Sequence, residues 1–279
     1  MNVERLHLKD FYEFLGENGK DATVDIYLPA VITEMKRENT KRPSIVVCPG
    51  GGYSFCSQRE AEVIAVQYIA KGYNAFVLNY SCAPYRFPSQ ILEVAATVDL
   101  IHKNSDEWNC DLSKVVIIGF SAGGHLAGHY STSYNCEEVR EYFPDSYPVN
   151  ASILCYPVIS AKKEIAHIGS FQNLTGIYKS ELPPDDTLKF SLEKRVTKDT
   201  PPTYIWHTAE DTCVPVYNSL VYANALASNG IPFELHIFPF GYHGLSTADS
   251  QTCDNISDRV KSNNDWISES IKWLDTILK

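Results

Sequence analysis

Short apolar runs rich in β-branched and aromatic residues recur along the chain. Such runs predict β-strands, and several are apolar at almost every position, which is typical of strands covered on both faces. The predicted strands are residues 22–28, 44–48, 75–79, 115–119, 151–156, 203–207 and 233–238.

Segments with helical periodicity separate these strands. They are residues 61–70, residues 90–102, a segment that opens at Ala122, residues 217–227 and residues 264–278. In the last one, Ile267, Ile271, Leu274 and Leu278 recur at spacings of three or four and share one helix face. Alternating β and α units predict a mostly parallel, doubly wound α/β sheet in a single domain over residues 1–279. Any ligand site should lie at the C-terminal ends of the strands.

Residues 158–202 interrupt this alternation and contain the pairs Pro183-Pro184 and Pro201-Pro202. A connection of that length within a compact domain is usually functional. We therefore expect either a cap or lid over a site or an ordinary surface insertion, and the pattern alone favours neither.

Composition narrows the function classes. The chain carries 24 Lys plus Arg against 34 Asp plus Glu, a net charge of −10. A surface that binds a phosphate backbone needs a net positive charge, so we expect neither a nucleic-acid partner nor an anionic membrane partner.

No apolar stretch has the length of a signal peptide core or a membrane helix. The eight cysteines are scattered without a CxxC pair, so we expect a soluble protein of the reducing cytoplasm.

Chemistry first appears directly after the predicted strand 115–119. The run Gly119-Phe120-Ser121-Ala122-Gly123-Gly124 fits G-x-S-x-G. In this motif the chain turns sharply from strand to helix, so the central serine takes a strained conformation and neighbouring side chains would clash. Ser121 would then stand at a helix N-terminus, which stabilises nearby negative charge. We interpret Ser121 as a nucleophile.

A serine nucleophile needs a histidine base and a carboxylate that orients it. His243 lies in the glycine-flanked loop after the last predicted strand, at the correct sheet edge. The carboxylate is Glu210 or Asp211, which follow the strand 203–207; they are adjacent, so both cannot point at the histidine. On spacing alone Asp211 is only weakly preferred. The order Ser121, Asp211, His243 is that of an α/β-hydrolase triad.

Donors for an oxyanion are expected from the glycine-rich loop Pro49-Gly50-Gly51-Gly52-Tyr53 and from the backbone N–H of Ala122.

Three other candidates are interpreted as structural. His125 and His129 have zinc-binding spacing but lack the accompanying glutamate, so packing is the better interpretation. Cys213 is expected to be a buried, inert thiol.

These motifs together resemble an α/β-hydrolase of the lipase and carboxylesterase group that carries an H-G-G-G signature. Within that group the chain is similar to bacterial acetyl-xylan and carbohydrate acetyl esterases. The resemblance covers nearly the whole chain and rests on Val24-Asp25-Ile26-Tyr27-Leu28-Pro29, Gly119-Phe120-Ser121-Ala122-Gly123-Gly124-His125-Leu126-Ala127, Pro201-Pro202-Thr203-Tyr204-Ile205-Trp206-His207-Thr208-Ala209 and Gly241-Tyr242-His243-Gly244.

The resemblance implies Ser121 as nucleophile, Asp211 as acid and His243 as base. It implies that the oxyanion donors are the N–H groups of Gly51, Gly52 and Ala122. One departure is Pro49, which stands where the group has a histidine whose hydrogen bonds usually organise the loop.

The function expected from this resemblance is a serine esterase that removes acetyl groups from carbohydrates such as acetylated xylan oligosaccharides through an acyl-enzyme. No metal and no organic cofactor are required, and a homodimer is an expected assembly. Tyr53 and Tyr242 are candidate substrate contacts. The alternatives are an amidase or exopeptidase on the same triad, and a non-catalytic binding protein that keeps the fold.

Overall fold

A computed structural model describes residues 1–35, 40–254 and 256–279. The strands within these ranges are β1 Asn2–His7, β2 Thr23–Leu28, β3 Arg42–Cys48, β4 Asn74–Asn79, β5 Cys110–Phe120, β6 Ala151–Cys155, β7 Thr203–Thr208 and β8 Phe233–Phe238. They form one sheet in the order β1-β2-β4-β3-β5-β6-β7-β8.

The α-helices in the described ranges are α1 Glu62–Ile69, α2 Ser89–Lys103, α3 Ala122–Ser133, α4 Glu137–Arg140, α5 Ile168–Thr175, α6 Pro184–Phe190, α7 Tyr217–Ser228, α8 Asp258–Lys261 and α9 Asp265–Ile277. Segments of 3₁₀ helix cover Leu8–Asp10, Glu13–Gly19, Thr33–Met35, Gln58–Glu60, Leu192–Lys194 and Ser262–Asn264. Helices α5 and α6 lie within the predicted insertion 158–202.

The predicted mostly parallel, doubly wound sheet is confirmed. Strand β2 pairs antiparallel with β1 and β4, and the remaining neighbours are parallel. Strand β1 was not predicted, because it is an exposed edge strand whose Val3 is 55% exposed. This edge is held by backbone pairing with β2 and not by apolar burial. An ion pair between Arg5 and Asp25 adds to it, with Nη2 and Oδ2 2.8 Å apart.

Strand β5 begins at Cys110, before the predicted start at Val115. Cys110 pairs with Arg42 of β3, and the register then shifts before Val115 pairs with Ser44. The predicted boundary therefore marks the regular, apolar part of the strand, and the preceding residues form an irregular segment that periodicity does not reveal.

Alternation of side chains along the strands builds two apolar layers. On β3, Val46 faces the cluster that contains α2 and α3, whereas Ile45 and Val47 face the cluster that contains α1 and α9. Ile267 and Leu274 of α9 are buried in that second layer, as the helical periodicity predicts. Both faces of the central strands are thus covered, and their carboxyl ends form the open edge where a site can be built.

Glu93 is a carboxyl group buried inside this fold. It lies on α2 with 0% exposure, and its Oε2 accepts a hydrogen bond of 2.7 Å from the Ser81 N–H. Among the described residues its Oε1 has no hydrogen-bond partner. Burial raises the pKa of Glu93 to about 7, although the Ser81 hydrogen bonds act in the opposite direction.

We predict that Glu93→Gln stabilises the protein in a pH-dependent way. A carboxyl group whose pKa is raised in the folded state contributes most to stability below its unfolded pKa, and this contribution is lost as the pH rises through about 7. Glutamine keeps an acceptor for Ser81 and cannot ionise. Relative to wild type, the melting temperature of the variant should therefore be higher at pH 8.5 by about 3 °C or more, with little difference at pH 5.

Thermal melts at the two pH values test this expectation. Glu62→Gln serves as control, because Glu62 is exposed on α1. If both variants changed the melting temperature with the same dependence on pH, the burial of Glu93 would not be the cause of that dependence.

Candidate active site

The turn from β5 into α3 places Ser121 at the carboxyl edge of the sheet. Its φ is 53° and its ψ is −117°, a strained conformation for a non-glycine residue. The flanking glycines are required by space: a β-carbon on Gly119 would lie 2.1 Å from the Gly123 carbonyl oxygen, and one on Gly123 would lie 2.2 Å from the Cys48 carbonyl oxygen. Close packing of α3 against β3 and β5 therefore forces this turn.

Three predicted residues meet at this edge although their loops are far apart in the chain. His243 follows β8, and its Nε2 lies 2.7 Å from Oγ of Ser121. Asp211 follows β7, and its Oδ2 lies 2.6 Å from Nδ1 of His243. The structure thus brings Ser121, His243 and Asp211 into one continuous chain of hydrogen bonds.

The carboxylate of Asp211 is held in its ionised form. Its Oδ1 accepts hydrogen bonds of 2.9 Å from the backbone N–H groups of Cys213 and Val214. Burial by itself would raise the pKa of Asp211, but hydrogen bonds from His207 and His243 outweigh burial and hold the pKa well below its usual value of 3.8. The neighbouring Glu210 instead accepts a hydrogen bond of 3.2 Å from the Gly241 N–H through its Oε2.

His207 is a site residue that sequence reasoning missed. Its Nε2 lies 3.1 Å from Oδ2 of Asp211 and 3.0 Å from the carbonyl oxygen of Val214. Because both of those atoms are acceptors, Nε2 carries a proton. Oγ of Ser219 lies 2.8 Å from the other ring nitrogen and holds the ring in place. The only sequence signal was a histidine at the end of a buried strand, four positions before Asp211.

The glycine loop after β3 approaches Ser121 from the other side. Gly51 has a φ of 126°, and a β-carbon there would lie 2.0 Å from the Phe55 carbonyl oxygen, so only glycine fits. Gly52 has a φ of 63° and lines the same pocket as Ser121. Ala122 is the first residue of α3, where backbone N–H groups lack helical partners.

Side chains other than a histidine hold the start of this loop. Oε2 of the buried Glu60 accepts a hydrogen bond of 2.9 Å from the Gly50 N–H, and its Oε1 accepts one of 2.6 Å from the Tyr156 hydroxyl. The Tyr80 hydroxyl donates to the Pro49 carbonyl oxygen over 2.6 Å. Glu60 was also missed, because nothing in its local sequence signals a contact across ten residues.

A pocket of about 340 Å³ opens over Ser121. The insertion contributes part of its wall. Residues that line the pocket include Gly52, Phe55, Ser121, His167, Asn173 and His243. A wider groove of about 750 Å³ lies elsewhere on the insertion, between residues such as Lys162, Lys179 and Leu182, away from the hydrogen-bonded chain at Ser121.

The structure corrects the predicted substrate contacts. Tyr53 is 1% exposed, and its hydroxyl lies 2.8 Å from Nδ1 of the buried His125, so it packs beneath the glycine loop and does not reach the pocket. Tyr242 is 50% exposed, but it is not among the residues that line the pocket. Cys213 is exposed at the pocket wall, because its N–H turns toward Asp211; the expectation of a buried thiol is wrong.

His125 and His129 are both buried, in agreement with their interpretation as packed side chains. Nε2 of His125 lies 3.0 Å from the Phe190 carbonyl oxygen, and the His129 ring stacks on Phe87. Within the described ranges, no group of three or more His, Cys, Asp or Glu side chains is arranged to hold a metal ion.

Comparison with known proteins gives a consistent result. A family profile described as BD-FAE matches residues 24–226. The chain is 37% identical over 236 residues to endo-1,4-beta-xylanase B of Butyrivibrio fibrisolvens, covering 81% of this chain and 36% of the relative. It is 32% identical over 250 residues to the acetylxylan esterase of Xylanibacter ruminicola, covering 88% of this chain and 48% of the relative. The chain thus spans between a third and a half of these curated relatives.

Solved structures resemble the chain over its whole length. The acetyl ester-xyloside bifunctional hydrolase from Caldicellulosiruptor lactoaceticus has a TM-score of 0.82 at 34% identity, with 98% of this chain and 96% of that chain covered. The carboxylesterase Cest-2923 from Lactobacillus plantarum has a TM-score of 0.84 at 28% identity, with 99% and 98% covered.

The fold and these relatives define an α/β hydrolase of the carboxylesterase group, which confirms the resemblance found in the sequence. The chain belongs to the BD-FAE family. Over the part of the chain that the structure describes, no helix combines the length and the apolar character needed to cross a bilayer.

The geometry predicts different roles for the two adjacent carboxylates. Asp211→Asn replaces the oxygen that faces the His243 ring nitrogen and disfavours the productive tautomer, so we expect kcat for an ester to fall by about 10³- to 10⁴-fold. Glu210→Gln is the matched control, because it changes the neighbouring acid, whose Oε2 accepts a hydrogen bond from the Gly241 N–H and not from His243; kcat should change by less than about fivefold. Steady-state kinetics on p-nitrophenyl acetate measure both. Equal losses in the two variants would contradict the assignment of Asp211.

Proposed function

We propose that this protein is a serine esterase that removes short acyl groups, acetyl above all, from carbohydrate hydroxyls such as those of acetylated xylan oligosaccharides. The observation that carries the proposal is the chain from Ser121 through His243 to Asp211, with distances of 2.7 Å and 2.6 Å, at the base of a pocket. The names of the acetylxylan esterase and the acetyl ester-xyloside hydrolase support the choice of substrate.

In the proposed reaction, Oγ of Ser121 attacks the ester carbonyl while Nε2 of His243 accepts its proton. Asp211 accepts the hydrogen bond from Nδ1 and stabilises the positive charge on the ring. The same imidazolium then protonates the departing sugar oxygen, which leaves an acyl group on Ser121. Water then attacks this acyl group while His243 accepts its proton, and His243 returns that proton to Oγ of Ser121 as the acid leaves.

The negative charge that develops on the carbonyl oxygen would be stabilised by the N–H groups of Gly51, Gly52 and Ala122. A single donor of this kind contributes about 10²- to 10³-fold to kcat in comparable enzymes. Donors on the backbone are fixed before the substrate arrives, so little reorganisation is needed during the reaction.

The pocket suits a short acyl group attached to a polar alcohol. Its volume of about 340 Å³ leaves little room for a long acyl chain beside a sugar ring. Phe55, 60% exposed at the pocket wall, offers an aromatic face on which a sugar can stack, the role expected of Tyr53. His167, from the insertion, supplies a polar group at the wall of the same pocket.

We propose further that residues 158–202 act as a cap within a single α/β-hydrolase domain. In support, His167, Gly169 and Asn173 of this insertion line the pocket that contains Ser121. The homodimer implied by the sequence resemblance stays a prediction.

Hydrolysis assays with Ser121→Ala test the proposed function. We expect the wild type to release p-nitrophenol from p-nitrophenyl acetate and acetate from acetylated xylo-oligosaccharides, and the variant to lose both activities by about 10³-fold or more. Ser228→Ala is the matched control, because this hydroxyl lies on an exposed residue of α7 and donates to the Asn224 carbonyl oxygen within the same helix. Its rates should equal those of the wild type.

Substrate comparisons separate the alternatives. The anilide analogue, acetanilide, should be cleaved far more slowly than the ester, and p-nitrophenyl octanoate more slowly than the acetate. Comparable rates on the anilide would favour an amidase. Cleavage of the model ester without release of acetate from the oligosaccharides would leave the esterase chemistry standing and refute the carbohydrate substrate. Full activity of Ser121→Ala would refute the nucleophile.

A further inference from the structure

Helix α5 of the insertion contacts the glycine loop directly. Nδ2 of Asn173 donates a hydrogen bond of 2.8 Å to the carbonyl oxygen of Gly52, across 121 positions of sequence. We propose that Asn173 is a positioning residue that holds the Gly52 segment in the geometry of an oxyanion hole. The proposal rests on the proposed esterase function and extends it to a residue outside the triad and the glycine loop.

Other residues of the insertion also lie close to Gly52. A β-carbon on Gly52 would lie 3.8 Å from Oγ of Ser170 and 4.0 Å from Cε1 of His167, so residues at the start of α5 pack beside the same glycine. Nδ1 of His167 lies 2.8 Å from Oγ of Ser170, which orders this part of α5. His167, Ser170 and Asn173 therefore form one face of the insertion that packs against Gly52.

The loop needs an anchor at Gly52 because its backbone is unusually free. Gly51 and Gly52 are consecutive glycines with positive φ, and glycine rotates about φ and ψ with little steric resistance. The peptide that carries the Gly52 N–H begins at the Gly51 carbonyl, which accepts hydrogen bonds from the Ser54 N–H at 3.0 Å, the Ser54 hydroxyl at 2.8 Å and the Phe55 N–H at 3.4 Å. The following peptide carries the Gly52 carbonyl. Among the described residues, Asn173 is the only recorded hydrogen-bond donor to it.

Two anchors thus lie on either side of the Gly52 torsions, and Asn173 supplies the second. Beyond Gly52, Tyr53 is buried and its carbonyl accepts a hydrogen bond of 2.8 Å from the Ala83 N–H, so the loop as a whole stays in place without Asn173. Loss of the Asn173 bond leaves the Gly52 carbonyl without this donor and loosens the Gly52 torsions, so the position of the Gly52 N–H becomes less defined. The anchors described above, Glu60 on Gly50 and Tyr80 on Pro49, act at the start of the loop and cannot restrain Gly52 directly. A misplacement of about 1 Å in a catalytic group costs as much as about 100-fold in rate.

The test compares Asn173→Asp with Gln172→Glu. Each substitution replaces a side-chain amide donor with a carboxylate of nearly the same shape on the same helix. Nδ2 of Asn173 donates to the Gly52 carbonyl, whereas Nε2 of Gln172 donates over 2.8 Å to the Lys179 carbonyl, away from the loop. Asn173→Ala is added, because it removes the donor without placing a negative charge beside the carbonyl.

We expect kcat on p-nitrophenyl acetate to fall by about 10- to 100-fold in both Asn173 variants, with KM within about twofold of wild type. Affinity for a trifluoromethyl ketone inhibitor, whose tetrahedral adduct places an oxyanion in the same position, should fall by a similar factor. Gln172→Glu should match the wild type in both measurements. Rates are normalised to active sites counted by labelling Ser121 to completion with a fluorophosphonate, so that misfolded protein is not counted.

Unchanged kcat and inhibitor affinity in both Asn173 variants would overturn the proposal, as would an equal loss in Gln172→Glu. A lower melting temperature accompanied by wild-type kcat per active site and wild-type inhibitor affinity would show a merely structural role and would also overturn it. These outcomes differ from a failure of the proposed function, which would appear as a wild type without esterase activity or as full activity in Ser121→Ala.

Discussion

The positive-φ conformation of Ser121 is the constraint on which the site depends. A serine held there costs about 1–3 kcal/mol, which the surrounding packing must offset. The Ser121 N–H donates to the Cys155 carbonyl oxygen over 3.0 Å, and its own carbonyl accepts from the N–H groups of His125 and Val158 at 3.0 Å each. Three neighbouring elements therefore hold one strained residue, and its Oγ projects beyond the edge of the sheet toward His243.

Once Ser121 is placed, the parallel sheet determines where its partners come from. The carboxyl ends of β3, β5, β7 and β8 lie at one edge, so the loops that follow them converge without any long-range signal in the chain. Asp211 and His243 need only occupy the first turns after β7 and β8. The buried His207 then completes the environment of Asp211, because an ionised carboxylate in a buried position requires several donors.

The glycine loop shows how a fold can replace one organising side chain with several weaker contacts. Pro49 stands at the position where the resemblance to the H-G-G-G group implies a histidine, and a proline side chain offers no hydrogen bond. Glu60, Tyr80 and Asn173 bond to three successive parts of the loop instead. They come from a turn, a strand end and the insertion, so the loop geometry is tied to the packing of distant segments and to the position of α5.

Local sequence was enough to predict the alternating strands and helices, the strand–turn–helix motif at Ser121 and the order of Ser121, Asp211 and His243 along the chain, because these features depend on local periodicity and on glycines that the motif requires. The resemblance already favoured Asp211 over Glu210, and the structure places Asp211 beside His243. Packing in three dimensions alone buried Tyr53, exposed Cys213, and brought His207, Glu60 and Asn173 to the site. Each of these outcomes depends on which side chains meet across the sheet edge. Such contacts arise from the packing of segments far apart in the chain, where periodicity carries no information.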